Sequence, residues 1–568
     1  VSESTPAFEG GLLQRLARWP VPVLVFICLV AWLPGLFALP PLDRDESRFA
    51  QASKQMIESG NYIDIRFSTV PRYNKPVGIY WAQAAATHAL GHPPYNQIWT
   101  YRLPSFLGGI LAVLLTYWSA RAFASRETAL LAGGLLALCV ALSAEAQMAT
   151  TDALLLASIV AAQGLFLRVY LHARGQLELL PPLWIALGAW AAIGIGILLK
   201  GPVILAVIVL TLLAISLWDR AWRWLLTLRA GYGIPVMLAV VLPWAIAIAF
   251  RSHGAFYQRS LGHDFAAKIL SGQETHGAPP GYYIALASLT LWPAMLFALP
   301  AFGHALAQRA EPAFRFLLAW IVPNWLLFEL VPTKLPHYIL PVYPGLAILA
   351  AVWVTAPRRS GRWERTLKII AAILFAVVAL AAGIGVLLIP AKLGSAPGLL
   401  TIVAASLVLL LTATALFFHS ARRNIAAAGC ALASALLLYP VLSSGIAPHL
   451  NALWMSRAIT AHVAHDRLSS DPPVVLAGYA EPSVVFLLGT DTRLATGKTA
   501  GTMAAQQGGL AIVEDGDRHR FLESLHAAGG TERAVDQMSG FDYSRGRSEH
   551  LTFYRVSPVP ADTMPPPE

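Results

Sequence analysis

Three stretches gather the residue types that bind and activate an anionic substrate: Asp43-Arg44-Asp45-Glu46-Ser47-Arg48, Tyr73-Asn74-Lys75-Pro76 and Thr333-Lys334-Leu335-Pro336-His337-Tyr338. A carboxylate such as Asp45 or Glu46 can take a proton from an acceptor or stabilise positive charge on a reacting carbon. A fixed Lys or Arg can stabilise the negative charge that collects on a leaving phosphate. Arg48 follows Asp45 by three residues, so on a helix the two share a face. Asp152, after Thr150 and Thr151, adds another carboxylate, and Arg259, His263 and Asp264 lie in a further loop.

Each of these residues has a plainer reading. Asp152 fits a helix N-terminus as well as a site, because a carboxylate there meets the positive end of the helix dipole. Asp43 and Glu46 fit a solvated turn, Asp43 the more so. Lys200, beside Gly201-Pro202, reads as snorkelling to phosphate headgroups, and Lys334 divides evenly between headgroups and a site. His263-Asp264 alone is a weak metal signal. Tyr80, Trp81, Trp99 and Tyr101 read mostly as an interfacial aromatic belt. Cys28, Cys139 and Cys430 sit in apolar runs, which leaves neither a disulfide framework nor a sulfur-ligated zinc cluster.

What must position these residues follows from composition. The 568-residue chain is 56% hydrophobic and 13% charged, with a mean hydropathy of +0.58. Globular proteins carry about 25% charged residues, so most of this chain must face lipid. An ordinary cytosolic enzyme, a secreted disulfide scaffold and a disordered protein are excluded. The net charge of +10 lies between apolar runs, which speaks against nucleic acid.

Thirteen runs approach the roughly 20 apolar residues a bilayer span needs: 19–40, 103–123, 128–144, 152–172, 183–199, 202–218, 232–250, 282–302, 313–331, 337–355, 366–389, 398–418 and 425–447. The chain opens at Val1, which reads as loss of an initiator Met or a tag, and the first run reads as a retained anchor. With the N-terminus inside, eighteen Lys and Arg fall in the cytoplasmic connections and three (Lys200, Lys334, Lys392) in the short loops opposite. The expected fold is an α-helical polytopic membrane protein, 1–447, with large periplasmic loops 41–99 and 251–281. A small soluble α/β domain, 448–556, and a disordered tail, 557–568, follow. Strands are expected at 473–479, 483–489 and 510–514 and a helix at 518–528. All the charged candidates then share the outer face. The two large loops hold nine more basic residues on the side where such residues are disfavoured, pointing to an anionic, membrane-bound substrate.

The order Asp43 to Ala50, Lys54, Gly60-Asn61-Tyr62 and Asn74 to Trp81 resembles the GT-C membrane glycosyltransferases, in particular the protein O-mannosyltransferase-like family that contains the lipid A aminoarabinose transferases. Tyr101-Arg102-Leu103-Pro104-Ser105, Thr150-Thr151-Asp152-Ala153 and the run from Thr333 to Pro344 carry the resemblance across the membrane part. One departure is Asn74, where aminoarabinose transferases carry an acidic residue, and the C-terminal domain offers no matching motif. The resemblance implies inverting transfer of a sugar, 4-amino-4-deoxy-L-arabinose, from undecaprenyl phosphate to lipid A phosphate at the outer face of a bacterial inner membrane. Asp45 matches the catalytic acidic position, with Asp152 and Glu46 as further carboxylates. Lys75, Arg259 and Arg48 are candidates for the donor phosphate, and Tyr73, Tyr80, Lys334, His337 and Tyr338 for the substrate.

No cofactor is required, although a divalent metal at His263 and Asp264 is compatible. The expected partners are the lipid-linked donor, the lipid A acceptor and membrane lipids, with the chain a monomer. The alternative within the fold is a transferase acting on protein hydroxyls or another envelope glycan. A transporter would place its charges deep in helices, often in repeated halves, and neither is seen. Gly497-Lys498-Thr499 lacks the upstream glycine of a phosphate-binding loop.

Overall fold

The computed structural model describes residues 7–265, 278–356, 362–392 and 398–558. Each of the thirteen apolar stretches contains helix. Among the described residues ten helices are long and apolar enough to cross a bilayer unaided, and two shorter apolar helices, Val203–Asp219 and Met295–Ala307, pack among them. The chain is a multi-pass membrane protein of mainly helical fold, as expected.

Two expected spans are broken. The run 128–144 forms Arg126–Ala137 and Val140–Glu145, and 282–302 forms Tyr282–Thr290 and Met295–Ala307. In the second, Pro293 lacks the N–H that would continue the helix. The two breaks meet, because the Val140 N–H donates to the Trp292 carbonyl at 3.1 Å.

The long connection after the first membrane helix carries two helices. Asp45–Ser59 begins with two acidic residues at the positive end of its dipole and ends at Gly60, whose φ of +67° suits glycine. A two-stranded hairpin, β1 (Arg66–Phe67) and β2 (Val70–Pro71), leads to helix Gly78–Leu90. Helix Asp45–Ser59 buries most of its residues, because it lies between the membrane bundle and the C-terminal domain.

That domain is a five-stranded sheet ordered β4-β3-β5-β7-β6, with β3 (Val475–Ala477), β4 (Arg493–Ala495) and β5 (Gly509–Glu514) parallel and the hairpin β6 (Thr531–Asp542) and β7 (Arg547–Ser557) antiparallel. Alternate residues serve opposite faces, as in any strand: Leu476 joins Ile459 and Val484, while Val475 and Ala477 join Ala504 and Phe521. The expected strands at 473–479 and 510–514 are present, and the expected helix is Asp515–Ala527.

The run 483–489 is a correction: it lies in helix Pro482–Leu488. Pro482 starts the helix, and the five residues from Val484 to Leu488 are all apolar, so strand and helix periodicity cannot be told apart. Of the tail, Ser557 closes β7, and 559–568 lie outside the described residues.

Candidate active site

Glu46 has the most constrained carboxylate of the acidic motif. Its Oε1 accepts from Arg102 Nε (2.8 Å) and the Ala149 N–H (2.8 Å), and its Oε2 from Arg102 Nη2 (2.9 Å) and the Leu42 N–H (2.8 Å). Arg102 spends its remaining donors on the carbonyls of Leu36, Leu39 and Pro40. Both side chains are buried. A buried ion pair is stable only when its remaining lone pairs and protons are satisfied, and here they are. The solvated-turn reading of Glu46 is therefore corrected: it fastens the start of helix Asp45–Ser59 to the first and second long membrane helices. Asp45, next in the chain, points elsewhere and is 58% exposed, with Arg48 3.9 Å away.

A second buried cluster lies where four segments meet. Lys200, the last residue of helix Leu183–Lys200, donates to Asp152 Oδ1 at 2.5 Å and stands 4.7 Å from the Tyr338 ring centre. His337 reaches towards two carboxylates, with Nδ1 3.3 Å from Glu145 and Nε2 3.8 Å from Asp152. Thr150 donates to Glu145 at 2.6 Å and Thr151 to Asp152 at 3.0 Å. Snorkelling of Lys200 is thus corrected, since a buried ammonium beside a carboxylate is held by the pair and not by headgroups. The helix-terminus reading of Asp152 holds, since it stands in the first turn of helix Asp152–Ala173, and the same carboxylate also pairs with Lys200.

This cluster opens on a cavity of about 430 Å³ lined by Asn74, Lys75 and Pro76 from the first loop, Asp152, Lys200 and Tyr338 from the cluster, and Ser260. The remaining wall is largely apolar, from Leu155, Ile197, Leu205, Val241, Trp244, Leu327 and Phe328. Two ammonium groups at the polar end of an apolar chamber suit an anionic headgroup on a hydrocarbon chain. Asp45 does not line this cavity.

The other expected residues fall around it. Tyr73 is buried, its hydroxyl donates to Asp64 at 2.8 Å, and its ring meets Phe256, a cavity residue, edge-on at 5.7 Å. Burial, and then the Asp64 carboxylate, pushes the Tyr73 phenol up to about 12. Lys334 is buried and donates to the carbonyls of Ala278 and Val331, both at 2.8 Å, so it ties loop ends together instead of snorkelling. Arg259 is exposed in the short π-helix Gln258–Phe265, one residue before Ser260. The side chains of His263 and Asp264 lie outside the described residues. Among the described residues no group of three or more His, Cys, Asp or Glu is arranged to hold a metal ion.

The aromatic-belt reading fails for Tyr80 and Tyr101, both fully buried. Tyr101 packs edge-on against Phe486 of the C-terminal domain at 5.4 Å, and Tyr80 packs on Phe49 at 5.5 Å. Burial raises the pKa of the Tyr80 hydroxyl, while the charge of Arg72 lowers it and that of Asp45 raises it. Arg72 was not anticipated. Its guanidinium lies over Phe49 at 5.3 Å and its Nε is buried without a hydrogen-bond partner. The available signal was its place three residues before Lys75.

Asp43 is also a correction. Far from solvating a turn, it is covered by the C-terminal domain, where Ser483 donates to its carboxylate and its own N–H donates to the Tyr543 hydroxyl at 2.7 Å. Burial, with Glu481 and Asp542 nearby, pushes its carboxyl up to about 7.

Comparison with known proteins agrees with this geometry. Residues 23–255 match the family described as dolichyl-phosphate-mannose-protein mannosyltransferase. The undecaprenyl phosphate-alpha-4-amino-4-deoxy-L-arabinose arabinosyl transferase of Erwinia tasmaniensis is 30% identical over 328 residues, 56% of this chain and 57% of that protein. Its counterpart from Pseudomonas aeruginosa strain LESB58 is 30% identical over 329 residues, with the same coverage of 56% and 57%. The chain thus matches less than two thirds of the length of these relatives. The crystal structure of ArnT from Cupriavidus metallidurans bound to undecaprenyl phosphate superposes with a TM-score of 0.73 at 20% identity, covering 94% of this chain and 97% of that one. The chain therefore has the GT-C glycosyltransferase fold and, by sequence, resembles the aminoarabinose transferases within it.

Proposed function

We propose that the chain transfers 4-amino-4-deoxy-L-arabinose from undecaprenyl phosphate to a phosphate of lipid A, with inversion at the anomeric carbon. The observation that carries this reading is the cavity whose apolar wall ends at Lys75, Lys200 and Asp152. Its shape and charge suit a polyprenyl chain and its phosphate, and the likeness to a fold solved with undecaprenyl phosphate supports the same ligand class. The chain sits in a bacterial inner membrane with its N-terminus in the cytoplasm and the C-terminal domain in the periplasm, as the distribution of Lys and Arg argues.

In the reaction the bond between the anomeric carbon and the donor phosphate breaks, and a new one forms to an acceptor phosphate oxygen. The electron pair leaves with undecaprenyl phosphate, where Lys75 and Lys200 stabilise the charge in a water-poor chamber. The Asp152 carboxylate keeps Lys200 charged and aimed. An ionised acceptor phosphate needs no general base, so Asp45 orients the acceptor or stabilises positive charge on the sugar ring. No resident metal is assigned a role, and activity should survive thorough chelation.

The test is mass spectrometry of lipid A after expression in a strain lacking its own transferase, paired with Asp45→Asn. A mass increase of one aminoarabinose that disappears with Asp45→Asn is expected. Unmodified lipid A with glycosylated envelope protein would favour the hydroxyl-directed alternative, which the protein mannosyltransferase family match keeps in view.

A further inference from the structure

We propose that the tip of the β6–β7 hairpin, together with Ser483, is a clamp that positions Asp45 for catalysis. The proposal rests on reading Asp45 as the reacting carboxylate, and it assigns the C-terminal domain a part in the reaction.

Three contacts converge on the two residues before Asp45. The Asp43 N–H donates to the Tyr543 hydroxyl at 2.7 Å, Ser483 donates to the Asp43 carboxylate, and the Arg44 guanidinium donates to the Ser544 carbonyl. Between them Arg44 has φ +62° and ψ −109°, a conformation that L side chains rarely adopt. Such a backbone persists only where its surroundings over-determine it. Here the surroundings are a loop tip about 500 residues away in sequence.

The tip is itself held by local hydrogen bonds. Asp542 Oδ1 accepts from the N–H groups of Ser544 (2.9 Å) and Arg545 (3.0 Å), closing the turn. The Tyr543 ring stands edge-on to Trp454 at 6.2 Å, and Trp454 donates to the Ala447 carbonyl at 2.7 Å, which ties the clamp to the end of the membrane part. On the other side of Asp45, Glu46 is fixed by Arg102. Asp45 is thus the one residue of the turn left facing outwards, while both its neighbours are immobilised. The direction of its side chain follows from theirs, and a small displacement of a reacting group is costly in rate.

Tyr543→Phe tests this, because it keeps the ring against Trp454 and removes only the hydroxyl. Turnover should fall about tenfold while the donor KM stays within about twofold, since Asp45 and not the donor site is disturbed. Hydrogen exchange of the amides at 43–48 should speed up while that of β5 stays unchanged. Ser483→Ala should act in the same direction, and it carries the test if Tyr543→Phe loosens the whole sheet. Unchanged exchange at 43–48, or faster exchange there with normal turnover, would overturn the clamp, as would a loss that appears wholly in the donor KM. If the wild-type chain transfers nothing from the undecaprenyl phosphate donor, the proposed reaction fails, and the clamp is then decided by exchange at 43–48 alone.

Discussion

The two buried acidic clusters, around Glu46 and around Asp152, differ in how completely their hydrogen bonds are spent. Around Glu46 every acceptor site of the carboxylate and every guanidinium nitrogen of Arg102 has a partner, and neither residue lines the cavity. Around Asp152 the pairing is looser: the nearest His337 nitrogen is 3.8 Å away, the Lys200 ammonium has donors to spare beyond Asp152, and both members of the pair line the cavity. Buried charge that is saturated and closed off holds a structure together. Buried charge that is only partly satisfied and opens on a chamber is available to a ligand.

The contrast predicts different failures. Arg102→Ala leaves the Glu46 carboxylate buried and unpaired, which costs about 3–5 kcal/mol, enough to consume much of a stability of roughly 5–15 kcal/mol. The variant should accumulate poorly and melt early in detergent. Melting within a few degrees of wild type would show that the strut is dispensable.

Lys200→Met and Asp152→Asn should leave more folded protein but slower enzyme. Loss of a preorganised charge at a developing anion costs about 10²–10³ in turnover. Because each single change strands a buried partner, the double variant should be more stable than either single one while remaining inactive. A double variant that regains turnover would show that the pair is structural and place it with Glu46–Arg102.

Why these two pairs were hard to foresee is a matter of sequence separation. Arg102 lies 56 residues from Glu46, and Lys200 lies 48 from Asp152. Periodicity and local motifs report which residues share one helix and say nothing of which helices touch. The thirteen apolar stretches were legible because the bilayer imposes their length, and Asp45, Lys75 and His337-Tyr338 stood out because they sit in motifs. Segment 483–489 was misread because its all-apolar run, Val484 to Leu488, has no period, and Asp43 because nothing local says that a domain five hundred residues away covers it. Arg102 stood in the motif Tyr101 to Ser105, but its burial was not legible, because helix Ile98–Ala120 begins five residues before the expected span and carries it inside.

Lys75→Ala separates binding from chemistry within the cavity. A charge-assisted hydrogen bond to phosphate exists in both ground and transition states, so donor affinity and turnover should each fall by about tenfold, on the order of 1.4 kcal/mol. Lys75→Arg should recover part of this, because a planar fork replaces a compact ammonium. Donor binding in nanodiscs that is indifferent to Lys75→Ala would remove Lys75 from the phosphate site.

The last contrast is the dependence of stability on pH. Asp43 faces Ser483, Glu481, Asp542 and Tyr543, with Tyr479 and the Arg44 guanidinium close by. Burial, more than these neighbours, raises its carboxyl from 3.8 to about 7 in the folded protein. Between those values the folded chain holds a proton that the unfolded chain releases. Stability therefore falls as pH rises through this window, and the contribution is fully present only below about pH 4. Asp43→Asn is neutral at every pH and still accepts from Ser483 through its amide oxygen. The wild-type Tm, measured in detergent at several pH values from 5 to 8, should drop more steeply than that of Asp43→Asn, with the two curves furthest apart at the alkaline end. Parallel curves would mean that Asp43 is ionised throughout, and its carboxylate would then have to be stabilised by a charge beyond the groups that surround it here.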